Sequence, residues 1–159
     1  MRSFTDEVVD SDVITQLISP GTKSATCSGN KAWSFAILNN KNEIERLSDE
    51  SKKHLLENLE EYPYSQQYEG RFYNGKNNIF LNAPCLLFLY GDLNPHWNVY
   101  DCTLAACNIM QDAMQYNLRT CWIRFAGHIC ETQRFKSKYK IPSHYKLVCA
   151  LSVGYPKVT

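Results

Sequence analysis

The stretch "APCLLFLYGD", residues 83 to 92, constrains this chain more than any other. From Ala83 to Tyr90 it carries no charge. An apolar run this short reads as a β-strand buried on both faces.

Other elements can be placed around that strand. "DSDVITQLIS" offers Asp10 and Ser11 as polar caps ahead of Val13, Ile14, Leu17 and Ile18, which share one helical face, and Pro20 with Gly21 is expected to end the helix. Residues 22 to 31 are a polar loop of small side chains leading into "AWSFAIL", whose composition suits a central strand. Asn40 followed by Glu43 resembles a capping box, and Ile44, Leu47, Leu55 and Leu59 keep helical phase to about residue 60. Residues 61 to 78 are tyrosine-rich and glycine-punctuated without clear period, and read as a loop or lid. From Val99 to Tyr116, Leu104, Ala105, Ile109, Ala113 and Met114 trace a strongly apolar central helix. A strand at "TCWIRF", a short amphipathic helix at "ETQRFKSKYK" and a final strand at "KLVCALSVGYP" complete the chain, which at 159 residues fits one domain spanning 1–159.

Bulk charge excludes some classes of function. A formal net charge of +1 provides no field for nucleic acid or an anionic membrane. No apolar run approaches the roughly 20 residues that span a bilayer. The opening "MRSFTDEVVD" turns acidic at once and has no apolar signal core, so a cytoplasmic protein is expected. Seven cysteines form an odd set, most of them inside apolar segments, which suits reduced buried thiols better than a disulfide framework. No CxxC pair occurs, and Cys102 and Cys107 fall on different faces of the central helix, so no metal is expected.

Catalytic signatures are missing as well. There is no GxGxxG, no GxxxxGK[ST] and no GxSxG. His54, His96, His128 and His144 lie in polar contexts without ligand spacing and are expected at the surface. Asp101 heads the central helix, where the helix dipole alone explains a carboxylate. Composition and spacing stop at a soluble α/β domain.

The order of segments says more. "RSFTDEVVDSDVITQLI", "SGNKAWSFAIL", "IFLNAPCLLFLYGD", "DCTLAACNIMQDAMQYNLRTCWI" and "YKIPSHYKLVCALSVGYP" together resemble the nitroreductase family of FMN-dependent oxidoreductases, in particular its compact form from anaerobes. The resemblance implies an α+β fold of three-layer α/β/α type, with a central, mainly antiparallel sheet wrapped by helices in an intertwined homodimer that holds FMN at its interface. It implies hydride transfer from NAD(P)H or another donor, through the flavin, to a nitroaromatic, quinone or similar small-molecule acceptor. The flavin then carries the chemistry, so no catalytic side chain is expected.

Six residues carry over as flavin contacts. Arg2 matches the last basic position of an R-x-S-x-R stretch that grips the FMN phosphate, where a guanidinium is the fitting donor. Ser28 and Asn30 match the serine and asparagine of a P-S-x-x-N-x-Q-P-W loop, and Lys31 stands in for its glutamine, where a cation stabilises an anionic reduced ring. Ile123 and Arg124 match the end of a G-L-G-x-C-W-I-G strand whose backbone amides approach the flavin's N5 and O4 edge. In "NLRTCWIRF" the glycines are replaced by Asn117, Arg119 and Arg124, so Arg124 either presents its backbone to the ring or binds an anion. These departures leave an alternative: a protein that binds flavin or another ligand without turnover.

Overall fold

The computed structural model describes residues 3–157. Its first helix, α1 (Ser11–Thr22), is capped by the Asp10 side chain, which accepts from the Asp12 amide. Pro20 does not end it. Near the C-terminus the missing proline N–H costs one helical bond, and α1 runs two residues further, bringing Gly21 against the central helix. Strand β1 (Trp33–Leu38) leads to α2 (Lys41–Glu57), where Asn40 accepts from the Glu43 amide as its capping pattern predicts. The helical phase read to residue 60 finishes in a separate 3₁₀ turn, Leu59–Glu61.

Residues 61 to 78 are more ordered than a loop. They form two short helices, α3 (Pro63–Gln66) and α4 (Glu69–Tyr73), with Phe72 buried. Strand β2 (Cys85–Asp92) precedes the central helix α5 (Asn98–Asp112), which tightens into a 3₁₀ turn over Ala113–Tyr116. Then come β3 (Arg119–Ile123), α6 (Gly127–Glu131), α7 (Gln133–Lys138) and β4 (Tyr145–Gly154). Helix α6 has no strong sequence period and was not expected.

The four strands form one antiparallel sheet in the order β1-β2-β4-β3. In β2, Leu86, Phe88 and Tyr90 pack into one layer with α2, α4, α6 and α7. Cys85, Leu87 and Leu89 alternate with them and pack into the other layer, against α1 and α5. The continuous apolar run is therefore a strand with two interior faces, and the three-layer α+β expectation holds. Tyr90 keeps its phenol satisfied in that interior by donating to the Cys130 carbonyl at 2.6 Å, and burial pushes its pKa up.

Strand β1 departs from its central-strand expectation. It lies at one edge, paired among the described residues with β2 alone; its aromatic residues Trp33 and Phe35 pack in the α5 layer, while Ile37, its β-branched residue, is exposed. Strand β3 is the opposite edge, which leaves Trp122 38 % exposed.

Candidate functional site

Short helices α3 and α4, the end of β3 and the turn at residues 79–82 enclose a cleft of about 350 Å³. Its walls are aromatic: Tyr64 and Tyr68 from the first pair, Trp122 and Phe125 from the strand end. Phe125 meets both Tyr68 and Phe72 edge-on at 5.2 Å, so the short helices are held to the strand end by ring contacts. The Arg124 guanidinium lies over the Tyr64 ring, 4.6 Å from its centroid. Leu81 and Asn82, with φ of 63° and 58°, both adopt the left-handed region in the turn below. Ser48 Oγ fixes that turn by accepting from the Ile79 amide, and Lys52 donates to the Asn77 carbonyl beside it.

Two predicted residues sit on this cleft. Ile123 is buried at the end of β3, and Arg124 follows it, exposed. Among the described residues, the backbone N–H groups of Arg124 and Phe125 make no hydrogen bond, so both remain free to donate. Asn117, which stands where the resemblance has a glycine, has φ 59°; asparagine tolerates that conformation, so the turn into β3 survives the substitution.

Three others lie elsewhere. Ser28, Asn30 and Lys31 are exposed on the loop before β1, and among the described residues their side chains have no hydrogen-bond partner. The end of β3 and the start of β1 face the same end of the sheet but from opposite edges, with β2 and β4 between them. Three strand spacings alone separate the two edges by roughly 14 Å, and the register adds an offset along the strands because Ile123 is level with Ala36 rather than Trp33, so one chain does not bring the two groups together. Arg2 lies outside the described residues.

Asp101 has a larger part than the helix dipole gives it. It is fully buried in the first turn of α5, where its Oδ1 accepts from the Cys27 amide at 2.9 Å while Oδ2 has no partner. It thereby anchors the loop carrying Ser28, Asn30 and Lys31, helped by Asn108, which donates to Ser24 Oγ at 2.8 Å. Hydrogen bonding to Asp101 is the main influence that pushes the exposed Cys27 thiol up. No local pattern in the sequence signals this contact, because its partners are 74 residues apart.

The histidines are not all bland surface groups either. His54 and His128 stack with ring centroids 3.6 Å apart, and the Tyr62 hydroxyl lies within hydrogen-bond distance of both. Burial, and then the charge of His128, hold the His54 imidazole below its ordinary range. Burial also pushes the Cys85 and Cys102 thiols up to about 12 and raises those of Cys130 and Cys149, which fits packing rather than nucleophilic use. Among the described residues no group of three or more His, Cys, Asp or Glu is placed to hold a metal ion, and no helix is long and apolar enough to cross a membrane.

Comparison with known proteins gives a consistent picture. A model described as "Nitroreductase family" matches residues 1–155. A nitroreductase from Bacteroides fragilis with bound FMN superposes with a TM-score of 0.84 at 18% identity, covering 98% of this chain and 82% of that one. One from Desulfitobacterium hafniense, also with bound FMN, gives 0.83 at 16% identity over 99% and 84% of the two chains. An FMN-dependent nitroreductase from Clostridium difficile gives 0.81 at 17% identity, over 100% and 86%. At these identities the likeness is one of fold. No curated protein matches the chain in sequence.

Proposed function

This chain belongs to the nitroreductase family, and from that membership we propose that it is an FMN-dependent oxidoreductase acting as a homodimer. It transfers a hydride from NAD(P)H or another donor to a nitroaromatic, quinone or similar acceptor. The observation that carries the reading is the β3 end: two unclaimed backbone amides, at Arg124 and Phe125, beside an aromatic cleft of about 350 Å³.

The residues present fit the cofactor. Backbone donors at Arg124 and Phe125 suit the N5 and O4 edge of a flavin, and need no glycine because they depend on main-chain position alone. Ile123 closes the cleft beneath them. Ser28, Asn30 and Lys31 supply the hydroxyl, amide and cation for the O2 and N1 edge, and Arg2 the guanidinium for the phosphate. FMN would supply the two-electron chemistry, which is why no acid–base pair is needed beside it.

The separation of the two residue groups supports the dimer. In a two-fold pair, the loop before β1 of one protomer can meet the β3 end of its partner, and a complete site then needs both chains. The central helix has the face for such a pairing: Trp97, Tyr100, Leu104 and Met114 are all about half exposed along α5 and the turn after it.

The absorption spectrum of the purified protein tests the cofactor. Bands near roughly 370 and 450 nm, as purified or after adding FMN, are expected for an oxidised flavin; their absence in both cases would overturn the proposal. The second reading, binding without turnover, is favoured by one observation, the bulky Arg124 beside the cleft. NAD(P)H oxidation with menadione separates the two, since a non-enzyme gives no rate above free FMN.

A further inference from the structure

The cleft at the β3 end shares Arg71, Ile79, Leu81 and Phe125 as lining residues with a second cleft of about 180 Å³ that reaches Lys76. Three cations, Arg71, Lys76 and Arg124, line these two clefts and no carboxylate does, although Lys76 also borders a third cleft beside Glu45 and Asp49, so the carboxylate-free cations are Arg71 and Arg124. That bias is local, because the whole chain has 17 basic and 16 acidic residues. The cleft between α2 and α7 pairs its cations with Glu43 and Glu50, and the one beside the N-terminal segment holds Asp6 and Glu45.

The two arginines of the β3-end cleft differ from the other arginines among the described residues. Arg46 and Arg134 both pair with Glu50, and Arg119 donates to the Leu118 carbonyl. Among the described residues, the side chains of Arg71 and Arg124 have no carboxylate or hydrogen-bond partner, and the Arg124 guanidinium lies over the face of Tyr64. A guanidinium held over a ring keeps its edge N–H groups available for an anion while its own face is covered.

We propose that this groove selects anionic, planar acceptors: an aromatic or quinone ring lies between the walls of Tyr64, Trp122 and Phe125, and its carboxylate or equivalent anionic group is held by Arg71 and Arg124. The aromatic walls supply area for a flat ring, and the two guanidinium groups lining the same cleft supply charge where no carboxylate lines it. The inference rests on the oxidoreductase reading for the word acceptor, but the groove's preference for an anion stands by itself.

The test uses 4-nitrobenzoate and its neutral counterpart 4-nitrobenzamide. In calorimetric titrations of the full protein, the benzoate binds at least about tenfold more tightly, a usual size for a charge-assisted contact, and the gap narrows as salt rises. Arg71→Gln and Arg124→Gln, both at exposed positions, each reduce that gap. Equal affinity for both compounds, or a gap untouched by either substitution, overturns the proposal. Turnover of the amide with NAD(P)H tests the oxidoreductase reading separately, since it needs no anion. A third titration compares FMN with riboflavin: if Arg71→Gln weakens FMN alone and spares the benzoate, the anion is the flavin phosphate and the proposal fails.

Discussion

The Cys27 amide donates to the Asp101 carboxylate at 2.9 Å, joining the loop before β1 to the first turn of the central helix. A buried carboxylate with its other oxygen unpartnered is costly, and here it holds a loop whose Ser28, Asn30 and Lys31 side chains have no bond of their own among the described residues. The same carboxylate raises the Cys27 thiol, which gives the contact a chemical readout.

Asp101→Asn is expected to accelerate alkylation of Cys27. Replacing the carboxylate weakens the hydrogen bonding that chiefly raises the thiol and removes the smaller effect of its charge, so more thiolate is present at pH 8 and iodoacetamide reacts several times faster. Cys107, exposed on the same helix, is the internal reference and should not change. Peptide mass spectrometry over a time course measures both, and an unchanged ratio of Cys27 to Cys107 labelling would show that the carboxylate does not act on the thiol.

Gly21→Ala is expected to destabilise the protein although alanine is the better helix former. A Cβ at Gly21 would lie 2.6 Å from Cδ1 and 2.9 Å from Cγ1 of Ile109, a fully buried side chain. Overpacking of this kind costs about 1–3 kcal/mol, more than the roughly 1 kcal/mol alanine gains over glycine in a helix. Ile109→Val deletes the Cδ1 methyl, so the double variant should be more stable than the two single losses added together. Urea unfolding of the four proteins measures this, and strict additivity would place the strain elsewhere.

Much of the fold was legible because its signals are local. The Asn40 cap, the apolar run of β2 and the period of α5 each depend on residues within a few positions of one another. Gly21 misled for a related reason: Pro-Gly normally punctuates a helix, yet here glycine is needed for close approach of α5, which only the packed structure reveals. β1 read as central because strand composition reports side-chain packing and not the number of neighbours. Among the site residues, Ile123 and Arg124, carried over from the family's strand pattern, fall on a cleft because that pattern ends where β3 ends. Asp101, Arg71 and the His54–His128 pair stayed hidden, since their meaning comes from partners distant in the chain or from a segment without period.

The His54–His128 stack is expected to make the protein less stable as pH falls below about 6.5, the ordinary histidine value from which His54 is lowered. Because the folded state holds His54 below that value, the unfolded chain binds the proton more readily. Stability is therefore intact above 6.5 and is lost as pH falls toward the folded-state value. Glu57 and Glu61 oppose the shift without reversing it, and the Tyr62 hydroxyl is the uncharged neighbour. His128→Gln removes the like charge but leaves the larger effect, burial, so the fall between pH 7 and 5.5 should shrink without vanishing. Urea midpoints across that range measure the slope, and an identical slope in the variant would exclude charge coupling between the rings.

Leu104→Lys is expected to separate the dimer and weaken FMN binding together. Tyr100 and Leu104 are one helical turn apart and expose 61% and 46% of their surface, and the Trp97 ring extends the patch from 5.7 Å beyond Tyr100. A stable interface needs roughly 1,000 Å² or more, and a lysine set into its apolar centre must be desolvated without a partner. The substitution lies at an exposed position of the single chain, so the protomer should keep its fold by circular dichroism. Val8→Lys, at a more exposed apolar residue away from α5, is the control and should leave both properties unchanged. Sedimentation velocity should give twice the chain mass for the unsubstituted protein and the chain mass for Leu104→Lys, with FMN affinity lower by at least about tenfold, since half of the flavin contacts are then missing. A monomeric unsubstituted protein that still binds FMN tightly would show that the loop before β1 and the β3 end need not come from two chains.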